Sequence, residues 1–305
     1  MKKITALLLV LVLAFSMTAC GGKKESSEDK KDKVAQKEEN KKEPETENKV
    51  EKDKEEKEAP KMEEVVVVDN DDIKISITEI KDVDVFDDYT INLFLENKTD
   101  KKVIFNTEGV TVNGIDTDAL LYAQLQAGTT HENRININAE NWAELGIENV
   151  TDIGMNFKAF VYGEEPLYAE TFHYYPMGDD KAEVVEREVS EDDLVIMDNE
   201  YAKITYLGES VNEYETQCLD LYIENKTDVT TTFQVLTVYI NGQRLVTIYG
   251  EEVAANSTKY SSIELVKDEM NKNGITQIDS VQIQFEIYNS GDWNDRFVSE
   301  TVTVK

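Results

Sequence analysis

The feature that most restricts the fold of this sequence is an internal duplication with an offset of 128 residues. Residues 91–114, INLFLENKTDKKVIFNTEGVTVNG, align without a gap over residues 219–242, LDLYIENKTDVTTTFQVLTVYING, with 10 identities in 24 positions. The same offset still aligns Phe157 with Phe285. Because a period this long exceeds that of solenoid repeats and matches a whole small domain, the sequence predicts two copies of a unit of about 110 residues.

Within each copy, apolar residues alternate with polar ones, which is typical of β-strands with one buried face. The alternating sets are Ile73-Ile75-Ile77, Ile91-Leu93-Leu95, Val110-Val112, Ile135-Ile137 and Ile153-Met155-Phe157 in the first copy, and Leu219-Leu221-Ile223, Val238-Ile240 and Val281-Ile283-Phe285-Ile287 in the second. Turn residues interrupt these runs at short intervals. We therefore expect antiparallel sandwiches rather than alternating strands and helices.

Two motifs that recur in both copies have the chemistry of turns. Asn-Lys-Thr-Asp follows a strand that ends near Leu95 or Ile223, and Asn and Asp side chains hydrogen-bond their own backbone in turns. Asn113-Gly114 and Asn241-Gly242 lie between apolar runs, where Asn-Gly favours a type I′ hairpin because both central residues need positive φ. The repeated residues therefore indicate shared backbone geometry before they indicate a shared binding site.

A short helix is predicted in each copy, at residues 138–146 (NAENWAELG) and 266–274 (VKDEMNKNG). Each segment ends in a glycine suited to the left-handed position after a helix. Trp142 and Met270 align within the two segments, and we expect both to pack over an open end of their sandwich. A tryptophan that stacks on a ligand is the alternative for Trp142.

These features resemble the immunoglobulin-like domains found, singly or in tandem, in surface lipoproteins of Gram-positive bacteria. The resemblance implies a shape and a location but no activity, and the paired cysteines of antibody domains are absent from the sequence. The predicted fold is all-β, with two tandem immunoglobulin-like antiparallel β-sandwiches, each with one short helix, after a signal peptide and a disordered tether. The expected domains are residues 63–177 and 194–305, joined by an inter-domain linker at 178–193.

The N-terminal residues have the pattern of a lipoprotein signal peptide, which we assign to residues 1–19. Two lysines precede an apolar run, ITALLLVLVLAF, that is too short to cross a bilayer comfortably. Met17-Thr18-Ala19-Cys20 resembles the lipobox of bacterial lipoproteins, with methionine in place of the commoner leucine. The resemblance implies that Cys20 carries diacylglycerol and palmitate-type chains on the outer face of the cytoplasmic membrane, since two chains anchor stably. The alternative is a secreted protein cut after Ala19 with a free Cys20 thiol.

Residues 20–62 are predicted to form a lipidated, disordered tether rich in lysine and glutamate. They contain no aromatic residue and too little apolar surface to offset the entropy of ordering; a solvated charged helix is the competing interpretation. The tether is nearly neutral, so residues 63–305 carry 17 basic and 49 acidic residues, a net charge of −32. This acidic surface is expected to repel nucleic acid and anionic lipid and to favour cationic partners or divalent ions at low salt, but the preferred interpretation of the charge is solubility alone.

Few residues are suited to catalysis, and we expect a non-enzymatic protein with no cofactor. If Cys20 carries lipid, Cys218 is the only remaining thiol, so no intramolecular disulfide can form. His131 and His173 do not have the spacing of a metal site, and His173 is expected to point outward from the last strand of the first copy. The sequence has no HExxH, phosphate-binding glycine loop, GxSxG or paired CxxC motif.

Acidic clusters leave calcium as an alternative that we do not favour. The clusters are Asp69, Asp71 and Asp72; Asp82, Asp84, Asp87 and Asp88; and Asp179, Asp180, Glu191, Asp192 and Asp193. Calcium takes several oxygen ligands, but none of these runs has the glycine and glutamate of an EF-hand loop. Solvated loops are the preferred interpretation, and a calcium ion, if bound, is expected at the junction between the copies.

Three aromatic residues are candidates for contact with a partner: Phe94, Tyr222 and Trp142. Phe94 and Tyr222 occupy equivalent positions and alternate with buried leucines, so they point toward the solvated face of their strands. There they would contact glycan, peptide or the neighbouring copy. Cover by a loop or by the short helix is the preferred alternative.

Two classes of function remain. The first is a membrane-anchored extracellular lipoprotein that acts as a non-enzymatic binding or structural module of the cell envelope, with a protein or cell-wall partner. The second is a solute-binding or accessory subunit of a membrane transporter. The second class needs a pocket between the domains, and the short loops of this sequence suggest no obvious cleft.

Overall fold

The structure of the protein, a computed structural model, describes residues 62–305. The predicted signal peptide, Cys20 and the tether up to residue 61 lie outside the described residues. Met62, assigned to the end of the tether, packs against the core of the first copy. Over this range, no helix combines the length and the apolar character needed to cross a membrane.

The first copy consists of two sheets whose apolar faces share one core. The first sheet contains β1 (Val65–Asp69), β2 (Ile73–Lys81), β3 (Asp88–Asn97) and β7 (Thr130–Asn138), adjacent in that order and antiparallel. The second contains β4 (Val103–Val112), β5 (Ile115–Asp116), β6 (Tyr122–Leu125), β8 (Ile153–Phe160) and β9 (Pro166–Tyr174). In this sheet β4 pairs with β5, β6 and β8, and β8 pairs with β9, all antiparallel.

The second copy repeats this arrangement strand for strand. Its first sheet contains β10 (Leu194–Asp198), β11 (Ala202–Val211), β12 (Gln217–Asn225) and β16 (Thr258–Leu265). Its second contains β13 (Thr231–Ile240), β14 (Gln243–Leu245), β15 (Tyr249–Val253), β17 (Val281–Asn289) and β18 (Arg296–Thr303). Each strand has the neighbours of the strand nine places earlier, because β13 pairs with β14, β15 and β17, and β17 with β18. The predicted all-β fold of antiparallel β-sandwiches is confirmed.

Each sandwich has its own hydrophobic core. Every residue of the predicted alternating sets is at most 1% exposed. Burial of a side chain of this size stabilises the fold by roughly 1.5–3 kcal/mol. The alternation therefore identified the buried face of each strand correctly.

The asparagine of each Asn-Lys-Thr-Asp motif is buried and holds its corner together. The side-chain amide of Asn97 donates to three backbone carbonyls at 2.7–3.1 Å, and its oxygen accepts the N–H and hydroxyl of Thr99. Asn225 makes the same five contacts, with Thr227 in place of Thr99. The accepting carbonyls belong to Lys101, Leu125 and Gln126 in the first copy and to Val229, Val253 and Ala254 in the second. The motif recurs because the same hydrogen bonds from the asparagine side chain hold the corner in both copies.

The two Asn-Gly pairs form the predicted hairpins. Asn113 and Gly114 have φ of 49° and 84°, and Asn241 and Gly242 have φ of 52° and 76°. Each pair is the whole connection between two strands, β4 to β5 and β13 to β14. Positive φ at both central residues is the requirement of the type I′ turn.

The predicted short helix forms in only one copy. In the second copy, α1 (Lys267–Lys272) buries Met270. In the first copy, Asn138 still belongs to β7 and residues 140–146 form successive turns, so the prediction of a helix at residues 138–146 is wrong. A segment this short forms too few hydrogen bonds to offset the free-energy cost of helix nucleation, so its tertiary contacts determine whether it is helical. β7 continues through Asn138, and the Ala139 N–H then bonds the Asp87 carbonyl at 2.7 Å, which keeps the chain extended one residue further than in the second copy.

Both segments nevertheless end in the same way. The N–H of Ile147 donates to the Trp142 carbonyl at 2.8 Å, and the N–H of Ile275 donates to the Met270 carbonyl at 2.9 Å. The intervening glycines at positions 146 and 274 have φ of 79° and 65°. This six-to-one hydrogen bond over a left-handed glycine is a Schellman motif, and the left-handed glycine is the part of it that the sequence predicted.

A short parallel strand pair joins the two copies. β5 pairs with β16 through Ile115 and Thr258, and the Thr258 N–H donates to the Gly114 carbonyl at 3.0 Å. The second sheet of the first copy and the first sheet of the second copy thereby form one nine-stranded sheet. The Asn-Gly hairpin of the first copy therefore supplies an edge strand to the second.

Candidate functional site

Tyr222 is covered by the connecting segment, residues 178–193. Only 7% of Tyr222 is exposed, its ring meets Tyr260 edge-on at 4.9 Å between centroids, and the Arg187 guanidinium lies 5.2 Å from the ring centroid. Arg187 is held in place by an ion pair with Asp193. Cover was the preferred interpretation for Tyr222, but the cover is the connecting segment rather than a loop or the short helix.

The other two predicted contact aromatics differ in exposure. Trp142 is 9% exposed and packs on Tyr89, with ring centroids 5.6 Å apart, as part of the first core. Phe94 lies partly exposed on the outer face of β3, where the Lys74 ammonium is 5.5 Å from its ring centroid. Contact with a partner through Phe94 stays a prediction.

The connecting segment contacts the second copy through Arg187 and is hydrogen-bonded to the first copy. The Val185 N–H donates to the Asn113 carbonyl at 2.9 Å, and the Glu183 N–H donates to the Thr151 hydroxyl at 3.0 Å. Val185 also packs against the first core. The segment predicted as an inter-domain linker is therefore a docked part of the body.

A group of charges around the buried side chain of Lys259 crosses the junction between the copies. The side chain of Lys259 is 5% exposed and binds the carboxylates of Asp118 and Glu251, the latter at 2.7 Å. Burial lowers the pKa of Lys259, but hydrogen bonds to these two carboxylates outweigh it, so the pKa is raised. Asp116 accepts the Ala254 N–H at 2.7 Å, and burial raises the pKa of its carboxyl. Charges from both copies therefore hold the junction.

Gly109 allows the copies to approach closely. A Cβ atom at this position would lie 2.6 Å from the Cβ of Ala254, closer than real side chains come. The backbone φ of Gly109 is 150°, which L-residues rarely adopt. The equivalent residue of the second copy is Thr237, so the fold of one copy accepts a side chain at this position, whereas in the first copy the junction and the backbone φ of Gly109 both oppose one.

The hairpins β2–β3 and β11–β12 end in the same tight turn. In the first copy, the Asp84 carboxylate accepts the Phe86 N–H at 2.7 Å and the N–H of residue 88 at 3.2 Å. In the second, the Asn212 amide oxygen accepts the Tyr214 N–H at 3.0 Å and the N–H of residue 216 at 2.9 Å. We refer to residues 83–88 and 211–216 as the paired tips.

The backbone of the paired tips is also the same. Asp87 and Glu215 have φ of 61° and 56°, the left-handed conformation that is uncommon for residues other than glycine. In each tip, this residue donates its N–H to the carbonyl three positions earlier, at 3.2 Å and 3.0 Å. Side-chain and backbone bonds therefore hold both tips in one defined conformation.

Each tip presents an aromatic ring to solvent. Phe86 is 78% exposed and Tyr214 is 76% exposed, so neither contributes much to a core. Val83 and Val211, three residues earlier, are 42% and 67% exposed, and Val85 is 90% exposed. Exposed apolar residues gathered on a rigid turn are a mark of an interaction site.

Aspartates of the first tip were singled out from the sequence as an acidic cluster, but the exposed ring of neither tip was singled out. The signal was present, because VDVFD at residues 83–87 lies over VNEYE at 211–215 in the same 128-residue register. Alignment shows that an aromatic residue recurs there. It does not show that this residue projects from a turn while Tyr222, equally recurrent, is covered.

The remaining polar candidates are isolated. Cys218 is 2% exposed, and burial raises the pKa of its thiol. His173 is partly exposed on β9, as expected, and its Nδ1 lies 2.8 Å from the Asp152 carboxylate, a hydrogen bond that raises the pKa of the imidazole. Among residues 62–305, no group of three or more histidine, cysteine or carboxylate side chains is arranged to hold a metal ion.

Open clefts flank the junction, although the sequence suggested none. One of about 660 Å³ lies between the copies and is lined by polar side chains that include Asn106, Lys158 and Thr230. The Asn106 oxygen is buried there without a hydrogen-bond partner in the described part of the chain. A second, of about 670 Å³, lies beside the connecting segment, and five glutamates are among its lining residues.

No protein-family model and no curated protein matches this chain. Among solved structures, it is similar to the YadV chaperone, with 13% identity over 76% of this chain and 100% of that one and a TM-score of 0.23. The structure of the Salmonella enterica SafA pilin in complex with the SafB chaperone matches with 10% identity over 78% of this chain and 98% of that one, and with a TM-score of 0.23. A protein of unknown function from Porphyromonas gingivalis W83 has 11% identity over 76% of this chain and 99% of that one, with a TM-score of 0.22. Likeness at this level transfers no partner and no activity, so the fold described above rests on the strand pairing of this chain.

Proposed function

We propose that the protein is a lipid-anchored, extracellular, non-enzymatic binding module of the bacterial cell envelope. The observation that carries the proposal is the exposed aromatic ring on the same rigid turn in both copies, Phe86 and Tyr214. The copies have diverged at most surface positions, and the fold gains little from either ring. A role in contact with a partner explains why both copies have one.

Two tips on one body suit a bivalent binder. The junction charges, the close approach at Gly109 and the docked connecting segment hold the copies together, so the separation of the tips is set by the fold. When two sites engage one partner, the second binds at a high effective concentration, which strengthens binding without new contacts. Exposed aromatic residues of this kind commonly carry much of the energy of an interface.

Membrane attachment is supported by the lipobox-like residues before Cys20. Mass spectrometry of the purified protein tests it: the N-terminal peptide should begin at Cys20 and carry the mass of two or more acyl chains. A Cys20→Ala variant should be released into the medium. An unmodified thiol on a mature protein that begins at Cys20 would contradict the anchor.

Binding is tested with the Cys20→Ala variant, because its attachment does not depend on lipid. It is mixed with envelopes isolated from cells that lack the protein, and the bound fraction is measured by sedimentation. Loss of both tip rings, Phe86→Ala with Tyr214→Ala, should reduce affinity at least about tenfold, since each anchor typically contributes above 1 kcal/mol. Tyr162→Ala is the control, because Tyr162 is 87% exposed but aligns with Ser290. Equal binding by all three proteins would contradict the proposal.

The cleft between the copies favours a second candidate, a solute-binding or accessory subunit of a transporter. The Lys158 ammonium, which is paired with the Glu108 carboxylate at 2.5 Å, lines this cleft and would contact a small polar solute. Screening amino acids and sugars by thermal shift tests this candidate. A rise in melting temperature that Lys158→Ala removes would support it, and no rise with any solute would exclude it.

A further inference from the structure

The chemistry around the paired tips narrows the kind of partner they fit. The first tip is surrounded by four aspartates within seven residues: Asp82, Asp84, Asp87 and Asp88. Asp84 is used inside the turn, where it accepts two N–H groups. Within residues 62–305, the carboxylates of Asp82, Asp87 and Asp88 form no ion pair with lysine or arginine. Negative charge at this tip is therefore free to meet an outside cation.

The second tip has the same character with different residues. Glu213 and Glu215 flank Tyr214 and are exposed. Glu213 forms no ion pair in the described part of the chain, and the nearest cation to Glu215 is Lys267, at 3.8 Å and itself largely exposed. An exposed pair at this distance contributes little. Both tips thus combine an apolar centre with an acidic rim.

We infer that the paired tips bind a cationic protein surface with two apolar pockets, each rimmed by lysine or arginine side chains. Such a pocket buries the ring of Phe86 or Tyr214 and places basic groups against the carboxylates that surround it. Interfaces commonly join a buried aromatic anchor to a charged rim in this way. The net charge of −32 on residues 63–305 would steer a cationic partner toward the tips and raise the rate of encounter.

The same charges disfavour the other occupants of an exposed apolar tip. A second copy of this chain would bring two acidic surfaces together, and like charges at an interface are strongly unfavourable. The anionic face of a bacterial membrane and anionic wall polymers are repelled for the same reason. A neutral glycan would stack on the rings but would leave the carboxylates without a counterpart.

The first experiment identifies what the tips touch. A photo-cross-linking amino acid replaces Phe86, Tyr214 or, as the control, Tyr162 in the full lipidated chain within its own membrane. Adducts from positions 86 and 214 should contain one and the same protein, with lysine or arginine in the linked peptides, and position 162 should give none. Adducts to lipid, to glycan or to a second copy of this chain would overturn the inference, as would no adduct above the control.

The second experiment separates the charge from the rings, using the purified partner so identified. Asp82→Asn with Asp87→Asn should lower affinity about tenfold at low salt and flatten its dependence on ionic strength. Asp71→Asn with Asp72→Asn, at the opposite end of β2, removes the same charge and should have little effect. The four substituted aspartates are all exposed, so the variants should keep the melting temperature of the parent.

The outcomes also separate this inference from the proposed function on which it rests. If the aspartate variants bind like the parent while Phe86→Ala and Tyr214→Ala still weaken binding, the partner is not recognised by its positive charge, and only the inference fails. If the ring variants bind like the parent, the binding role of the tips fails as well.

Discussion

A methyl group added at Gly109 should destabilise the protein by crowding the junction. In Gly109→Ala, the new Cβ would lie 2.6 Å from the Cβ of Ala254, whereas carbon atoms pack best at about 3.5–4.0 Å. Overpacking of this kind costs about 1–3 kcal/mol. The backbone φ of 150° adds strain of roughly 1–3 kcal/mol for a residue with a side chain. The free energy of unfolding should therefore fall by about 2–6 kcal/mol.

The two contributions can be separated with a compensating change. Ala254→Gly removes the atom that the new methyl meets, so the double variant should recover the crowding part and keep the strain. Urea unfolding of the parent, both single variants and the double variant gives the coupling energy, expected at about 1–3 kcal/mol. Gly128→Ala is a control for strain alone, because Gly128 has φ of 64° and open space around its Cβ position. A coupling energy near zero would show that the copies do not meet closely at Gly109.

Three further results are expected. Lys259→Met should lower the free energy of unfolding by about 1–3 kcal/mol in urea, because the junction carboxylates lose their buried cation; unchanged stability would contradict their role. Asn97→Ala and Asn225→Ala should each cost about 1–3 kcal/mol in the same assay, since each removes three hydrogen bonds that the buried amide donates to backbone carbonyls, and a large effect in one copy alone would count against an equivalent role. The raised pKa of His173 means that its pair with Asp152 stabilises the fold fully below pH 6.5 and loses this effect as the pH rises through the folded-state pKa. Titration by NMR should show this pKa falling in Asp152→Asn, and an unchanged value would refute the pairing.

The strands and both cores could be predicted because their signals are local and repeated. Ile73, Leu221 and Phe285 belong to runs in which every second residue is apolar, and two copies of each run reinforce one another. The Asn-Gly hairpins follow from a dihedral requirement that few residues meet. These features depend on neighbours along the chain, so the sequence contains them.

The features that bring the copies together could not be predicted in this way. The cover over Tyr222 comes from Arg187, in a segment without periodicity, and the parallel pairing of β5 with β16 joins residues more than a hundred positions apart. The prediction of a helix at residues 138–146 was wrong because tertiary contacts determine the conformation of so short a segment. The rings of the tips were missed because an aromatic residue can recur in both copies whether it is covered or exposed.

The parallel strand pair between the copies also bears on self-assembly. The hairpin strand β14 and the edge of β7 are the counterparts of β5 and β16, and in the described structure each pairs on one side only. If β14 and β7 had the same residues as β5 and β16, β14 of one molecule could pair with β7 of another. A head-to-tail contact of this kind that does not close into a ring produces open fibres. Arg244 stands where the hairpin has Asp116, and His131 stands where the edge has Lys259, so the matching charges are gone. Because these residues differ, the contact that joins the two copies would not be reproduced between two molecules with the same charges.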